Sequence, residues 1–269
     1  MPELPEVEVT RRGVAPFVTG RVIRAAIARN RRLRWPVPAS LESLAGRTVR
    51  AVERRGKYLL FACDGGHLIV HLGMSGSLRL LPAGTPPGKH DHVDLVFGAR
   101  VLRLRDPRRF GAVLWTEAAP ETHPLLAHLG VEPLSRALTA KRLYELTRGH
   151  RTAIKHLLMD ARRIVGIGNI YACESLFLAG IDPRASAGRL SRARCARLVV
   201  SIKQILRKAI RAGGASLRDF VRSDGEPGHF QLRSWVYGRP GLPCRRCGAA
   251  LRRIVQGQRA TFYCPRCQR

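Results

Sequence analysis

The sequence predicts an α+β multidomain protein. A leading helix precedes an N-terminal β-sandwich, a helical domain follows, and a C-terminal four-cysteine zinc finger closes the chain. Three observations predict this order. Short apolar runs broken by turn residues fill the chain from Val22 to about Trp115. After Pro133 the apolar positions recur at helical spacing. Two Cys-x2-Cys pairs, Cys244/Cys247 and Cys264/Cys267, have sixteen residues between them. The expected domains are 1–131, 132–225 and 226–269, with the finger proper at about 235–269.

The leading helix spans 5–18, with Val7, Val14 and Phe17 on an apolar face and Gly20 as its stop. Strands are predicted at 22–28, 58–62 and 68–72. A further pair lies around 92–97 and 101–104, joined by Gly98-Ala99, a Gly-X dipeptide suited to a type II′ hairpin. Many short strands behind one helix suggest a sandwich or flattened barrel. The Pro- and Gly-rich stretch 82–89 reads as a loop. Helices follow at 139–147, 152–160, 169–178 and 190–210, the last capped by Ser191. Ser216-Leu217-Arg218-Asp219 has the look of a capping box. From 226 onward nine arginines, no lysine and one acid accompany the cysteine cluster.

Charge sets the class of partner. The chain carries 48 Lys+Arg against 19 Asp+Glu, a net +29. Such self-repulsion is best relieved by a polyanion, and nucleic acid leads the candidates. Drift toward arginine in the host genome explains Arg in place of Lys but not the excess over acids. No apolar run approaches the ~20 residues of a membrane helix, and no signal peptide is visible. Cys63, Cys173 and Cys195 are an odd, scattered remainder that argues for a reducing compartment. A monomer in a bacterial cytoplasm, associated with the nucleoid through DNA, is the expectation.

The chemistry-bearing residues begin at Met1-Pro2-Glu3-Leu4-Pro5-Glu6. Methionine before proline is usually removed, which makes Pro2 a secondary amine able to form a cationic imine. An α-amine titrates near ~8 against ~10.4 for lysine. Glu3 beside it can carry protons. Taken alone, Pro-Glu also suits an ordinary helix start. Lys57, in Gly56-Lys57-Tyr58, sits at the lip of a strand, where it is either solvated or faces the pocket of Pro2 as general acid/base. Met74, between glycines, and Arg108-Arg109-Phe110 on a tight turn are what a protein inserts into a duplex to fill the hole left by an extruded base. In isolation Met74 and Phe110 suit ordinary core packing better. Gly166-Ile167-Gly168-Asn169, between two helices, lets backbone approach a phosphate, with Asn169 expected to cap the second helix and Lys155 on the first. The four cysteines place thiolates for one structural Zn2+ per chain, against a redox or disulfide reading. Arg252, Arg253 and Arg259 in the finger hairpin suggest a finger that touches DNA.

Together these segments resemble the bacterial formamidopyrimidine-DNA glycosylases of the Fpg/Nei superfamily, from Pro2 to Gln268. The resemblance rests on Pro2-Glu3-Leu4-Pro5-Glu6-Val7-Glu8, His71-Leu72-Gly73-Met74-Ser75-Gly76, Lys89-His90-Asp91-His92, and 106–111. It rests equally on 166–172, Ser223-Asp224-Gly225, Val236-Tyr237-Gly238-Arg239 and 258–264. It implies a helix–two-turn–helix middle domain and a cleft that holds double-stranded DNA containing oxidised bases or abasic sites. It implies excision of 8-oxoguanine and formamidopyrimidines followed by strand nicking. By position, Pro2 is the nucleophile, Glu3 protonates the sugar ring, Lys57 assists β-elimination, and Arg259 serves δ-elimination and phosphate binding. His90, Arg108, Lys155 and Asn169 contact DNA, while Met74, Arg108 and Phe110 fill the gap. His150 stands where many members have a phosphate-contacting lysine, and Arg151 is its alternative. The stretch 228–233 is less typical of the family's loop over the damaged base.

Two rivals remain. A non-catalytic nucleic-acid-binding zinc protein suits the charge and the finger but gives no reason for Pro2-Glu3 with Lys57. A sister glycosylase for oxidised pyrimidines resembles Pro-Glu-Gly-Pro-Glu at its start, whereas this chain reads Pro-Glu-Leu-Pro-Glu.

Overall fold

The computed structural model describes residues 2–215, 222–230 and 234–269. The expected capping box at 216–219 and the 231–233 part of the atypical stretch lie outside them. The chain forms two compact units, Met1–His128 with Ala212–His229, and Leu129–Arg211 with Phe230–Arg269.

In the first unit, α1 (Leu4–Val18) is followed by two antiparallel four-stranded sheets. One orders β1 (Ala25–Ala28), β6 (Asp91–Phe97), β7 (Arg100–Arg105) and β5 (Ser77–Pro82). The other orders β2 (Val49–Arg55), β3 (Tyr58–Cys63), β4 (Gly66–His71) and β8 (Ala112–Thr116). Phe61, Leu68, Val70 and Val113 from one sheet meet Leu78, Val93, Leu95, Leu102 and Leu104 from the other, leaving a gap of about 10 Å³. That is too small to hold a water comfortably, so the sandwich is closed and dry. Val7, Val14 and Val18 of α1 join the same core.

Phe17 does not share that face. It is 48% exposed, with the Arg100 guanidinium 5.1 Å from its ring centre. One residue is about 100° of helix turn, which swings Phe17 away from Val18. Gly98 has φ +65° while Ala99 stays out of the positive region, as a type II′ turn requires. Both faces of β6 are buried. Val93 and Leu95 enter the core, while Asp94 accepts from Arg103 Nε at 2.8 Å and from Arg29 Nη2 at 2.7 Å. Arg103 also donates to the carbonyls of Thr85 (3.0 Å) and Pro86 (3.1 Å), tying the loop before His90 to the sheet. The Ala212–His229 segment returns to this unit, where Leu80 N–H donates to Ser223 O at 3.0 Å.

The second unit contains α2 (Ala140–Thr147), α3 (Ile154–Met159), α4 (Asn169–Ala179) and α5 (Arg192–Arg211). Thr139 caps α2 through its side chain, and the Ser191 hydroxyl accepts from Arg194 N–H at 3.3 Å. Helix α4 is mostly apolar and almost wholly buried, with Glu174 and Ser175 among its buried residues, and it ends on Gly180 at φ +69°. Strands β9 (Arg252–Gln256) and β10 (Arg259–Tyr263) form the finger hairpin, packed on Cys173 and Phe177 of α4 through Val236, Leu251 and Phe262. Among the described residues no helix is long and apolar enough to cross a membrane.

Candidate active site and nucleic-acid interface

The N-terminus is held from within its own unit. Pro2 is buried, and Glu3, the residue before α1, is 2% exposed. Glu3 N–H donates to Glu6 Oε2 at 2.7 Å, closing a capping box. The other carboxylate oxygen of Glu6 accepts from Ala215 N–H at 2.8 Å. A single buried carboxylate thus ties the start of the chain to a segment more than two hundred residues away. Glu6 was not singled out by the sequence, because no local pattern names Ala215 as its partner.

Gly56 has φ +59° and Arg55 pairs with Tyr58, so Gly56-Lys57 is the two-residue turn between β2 and β3. Lys57 is half-buried there. Its charge reaches His71 on β4, whose imidazole is pushed down to about 4 by burial first, then by Lys57 and Arg34. The neutral ring lies tilted by 46° against Tyr58, 4.8 Å between ring centres, and accepts from Gly73 N–H through Nδ1 at 3.0 Å. His71 therefore orients the first glycine of the Met74 loop, a role its place in the motif did not disclose.

Met74 and Phe110 are 38% and 40% exposed, so neither is a core residue. Their loops lie against each other. A Cβ on Gly73 (φ +64°) would fall 2.4 Å from the Phe110 carbonyl carbon, so only glycine fits. Asp106, fully buried, holds both loops. Its carboxylate accepts from Ser75 Oγ at 2.7 Å, from Gly111 N–H at 2.7 Å and from Arg108 N–H at 3.3 Å. Its carbonyl meets His92 Nε2 at 2.8 Å, and its own N–H donates to His90 O at 2.9 Å. Arg109 takes φ +57°, and the Arg108 guanidinium lies 4.9 Å from the Phe110 ring centre. The result is two apolar tips and a cation fixed from behind by one carboxylate.

In the second unit, Gly168 rather than Asn169 caps α4, and Asn169 is the first helical residue. The expected cap is corrected for a physical reason. The Asn169 amide is engaged elsewhere, donating to Ala260 O at 2.9 Å and to Tyr237 Oη at 3.5 Å. Its Oδ1 is buried with no partner among the described residues. Lys155 is fully buried rather than solvated, with Nζ donating to Thr261 Oγ1 at 2.5 Å and to Ala260 O at 3.4 Å. Both side chains therefore grip strand β10 directly after the exposed Arg259. Arg252 and Arg253 are also exposed. Glu174, buried on α4, accepts from the N–H groups of Trp235 (2.8 Å), Val236 (2.9 Å) and Tyr237 (2.9 Å), docking the finger's leading segment. His150 is placed through its backbone, accepting from Gly188 N–H at 2.8 Å, and Arg151 beside it is exposed.

The four cysteine sulfurs lie within 4.8 Å of one another, with Cys244–Cys267 at 3.9 Å and Cys247–Cys264 at 3.5 Å. Thiolates about 2.3 Å from a tetrahedral zinc stand about 3.8 Å apart, so the cluster fits that ion. All four corners are sulfur, which makes the site structural. The metal would staple a hairpin whose turn, Gly257-Gln258, has both residues at positive φ (52° and 60°).

Three family models match this chain. Residues 1–113 match the formamidopyrimidine-DNA glycosylase N-terminal domain, residues 129–221 its H2TH domain, and residues 241–269 a zinc finger found in FPG and IleRS. The chain belongs to the formamidopyrimidine-DNA glycosylase (Fpg) family. It is 59% identical to the formamidopyrimidine-DNA glycosylase of Aromatoleum aromaticum, with all of both chains covered. Its structure is similar to the crystal structure of the Thermus thermophilus Fpg protein (TM-score 0.90, 39% identity, 99% and 98% of the chains covered). It is also similar to a Lactococcus lactis Fpg variant in complex with Fapy-dG-containing DNA (TM-score 0.92, 35% identity, 100% of each chain). The Fpg frame accounts for the helix–two-turn–helix segment, the finger and the N-terminal sandwich together.

Proposed function

We propose that this Fpg-family chain is a base-excision-repair DNA glycosylase that removes oxidised purines from duplex DNA and then nicks the strand through an imine on Pro2. Removal of Met1 frees the proline nitrogen. That nitrogen attacks C1′ of the damaged nucleotide, the bond to the base breaks, and the base departs with a proton. Glu3 supplies protons at the sugar ring, where charge develops. With O4′ protonated the C1′–O4′ bond breaks and the ring opens, and the proline nitrogen, having given up its N–H proton, donates its lone pair to make a cationic imine at C1′ that renders the C2′ proton acidic. Loss of that proton, with Lys57 as acid/base, leaves an electron pair that expels the 3′ phosphate. Loss of a C4′ proton then expels the 5′ phosphate, with Arg259 holding the phosphate. Water as nucleophile offers no such route, because it leaves no imine.

The observation that carries this reading is the Pro2-Glu3 start, buried and anchored by Glu6, in a chain that also presents Met74 and Phe110 as exposed apolar tips. Met74, Arg108 and Phe110 fill the space left by the extruded nucleotide. His90, Asn169 and His150 are assigned to the DNA backbone, whereas Lys155, expected to touch DNA, is fully buried against Thr261 and acts by holding β10. Relatives from Lactococcus lactis are described in complex with abasic-site DNA and with Fapy-dG DNA, which supports the same partner here. One such relative is described with oxidised-pyrimidine DNA, so a second, minor substrate class is part of the reading. The enzyme acts as a monomer in the bacterial cytoplasm. Borohydride reduction in the presence of 8-oxoguanine duplex should trap a covalent adduct at Pro2. Intact DNA binding without any adduct would sink the imine mechanism and favour a binding protein.

A further inference from the structure

Lys155 and Asn169 fix the finger strand directly after Arg259, at Ala260 and Thr261. Directly before Arg259 lies the Gly257-Gln258 turn, and a different side chain supports it. His156, the neighbour of Lys155 on α3, stands beneath this turn. A Cβ built on Gly257 would lie 3.1 Å from His156 Nε2 and 3.5 Å from its Cε1. A side chain at Gly257 would therefore press on the imidazole, and the glycine is what lets the turn sit this close to it. His156 Nε2 is buried with no hydrogen-bond partner among the described residues, and so is Gln256 Oε1. Gln256 is held instead through its Nε2, which donates to Pro183 O at 3.4 Å. A buried, unsatisfied ring nitrogen in a native fold calls for an explanation. Its place against the glycine turn is what buries that nitrogen.

We infer that His156 is a positioning residue for Arg259. Its ring is the floor that sets the height of the Gly257-Gln258 turn. Lys155 and Asn169 clamp the strand on the far side, so Arg259 projects from a segment braced at both ends. The inference rests on the reading of Arg259 as the residue of the second elimination. It goes beyond that reading by naming what aims the guanidinium. A floor lowered by an ångström would leave Arg259 present but misdirected, and catalytic geometry tolerates little of that.

The test is the product ratio on an abasic-site duplex, with β- and δ-elimination products separated by gel. His156→Ala should lower the δ share about fivefold, with base excision and β-elimination within about twofold and zinc content unchanged. His156→Gln, which refills the floor, should restore at least half of the δ share. Arg259→Ala is the reference. If it lowers the δ share and His156→Ala does not, the positioning inference alone is overturned. If Arg259→Ala leaves the ratio unchanged, the Arg259 reading fails and the inference falls with it. Should His156→Ala lose its zinc, Gly257→Ala decides. Its methyl drives the turn off the imidazole, a retained δ share overturns the inference, and a lost one supports it.

Discussion

Glu6→Gln isolates the buried carboxylate that links the N-terminus to Ala215. In the native protein one oxygen accepts from Glu3 N–H at 2.7 Å and the other from Ala215 N–H at 2.8 Å, with the residue 1% exposed. Glutamine keeps the shape but offers one oxygen and one NH2. Whichever way the amide turns, one backbone N–H then faces a donor. A lost hydrogen bond to a charged group costs about 1.5–3 kcal/mol, and the stranded donor adds to it. A total of about 2–4 kcal/mol follows. In a protein of this size each kcal/mol moves the melting midpoint by about 2–4 °C, so the first unit should melt about 4–16 °C lower. Circular dichroism melts at pH 7 measure it. Nicking of an 8-oxoguanine duplex should slow as well, because Glu3 loses its backbone anchor, while zinc content stays the same. A midpoint within 1 °C of wild type would refute the argument, because it would mean that the carboxylate contributes no net hydrogen bonding.

The remaining predictions concern other parts of the molecule. A one-residue extension ahead of Pro2 should abolish nicking and spare DNA binding, and full-rate nicking by a protein shown by mass spectrometry to keep the extra residue would rule out the secondary amine. Asp106→Ala removes the common acceptor of Ser75, Arg108 and Gly111 and should cost about 3 kcal/mol or more of stability while slowing excision more than binding; unchanged excision would show that the Met74 and Phe110 loops hold themselves. His71 is neutral in the fold until about pH 4 but titrates near 6.5 when free, so its contribution is complete above pH 6.5 and lost as pH falls toward 4. Melts across that window should therefore show about 3 kcal/mol of acid destabilisation that His71→Gln lacks, and parallel pH profiles for the two proteins would contradict this. Cys247→Ser should release zinc and weaken DNA binding as the hairpin loosens, whereas native metal content by mass spectrometry would argue against a four-thiolate site.

Much of the fold was legible because it is encoded locally. Gly98-Ala99 announces its turn, Thr139 and Ser191 stand where caps belong, and paired Cys-x2-Cys knuckles can hardly be anything else. Phe17 was misplaced because its apolar character outweighed one step of helix phase. The candidate residues were found by type and motif, but their supports were not. Asn169 reads locally as a helix cap, yet its amide is drawn off by Ala260, ninety-one positions away. Lys155 reads as a phosphate contact until Thr261 is seen waiting for its amine. Glu6 and Asp106 bond locally to Glu3 and to Arg108 and Gly111, but Ala215 and Ser75, like the Gly257 turn beside His156, come near only on folding, so their linking roles were hidden.

The return of Ala212–His229 to the first unit bears on how the protein is made. A ribosome that has delivered 128 residues has not delivered a finished sandwich domain. Glu6 still lacks Ala215, and the β5 edge still lacks Ser223, until another hundred residues have emerged. During that interval the nascent chain presents an uncovered strand edge of the kind that seeds mispairing. Trimming the gene to its N-terminal portion should yield a sticky, aggregation-prone fragment, because the last strap of that domain is synthesised after the whole helical region.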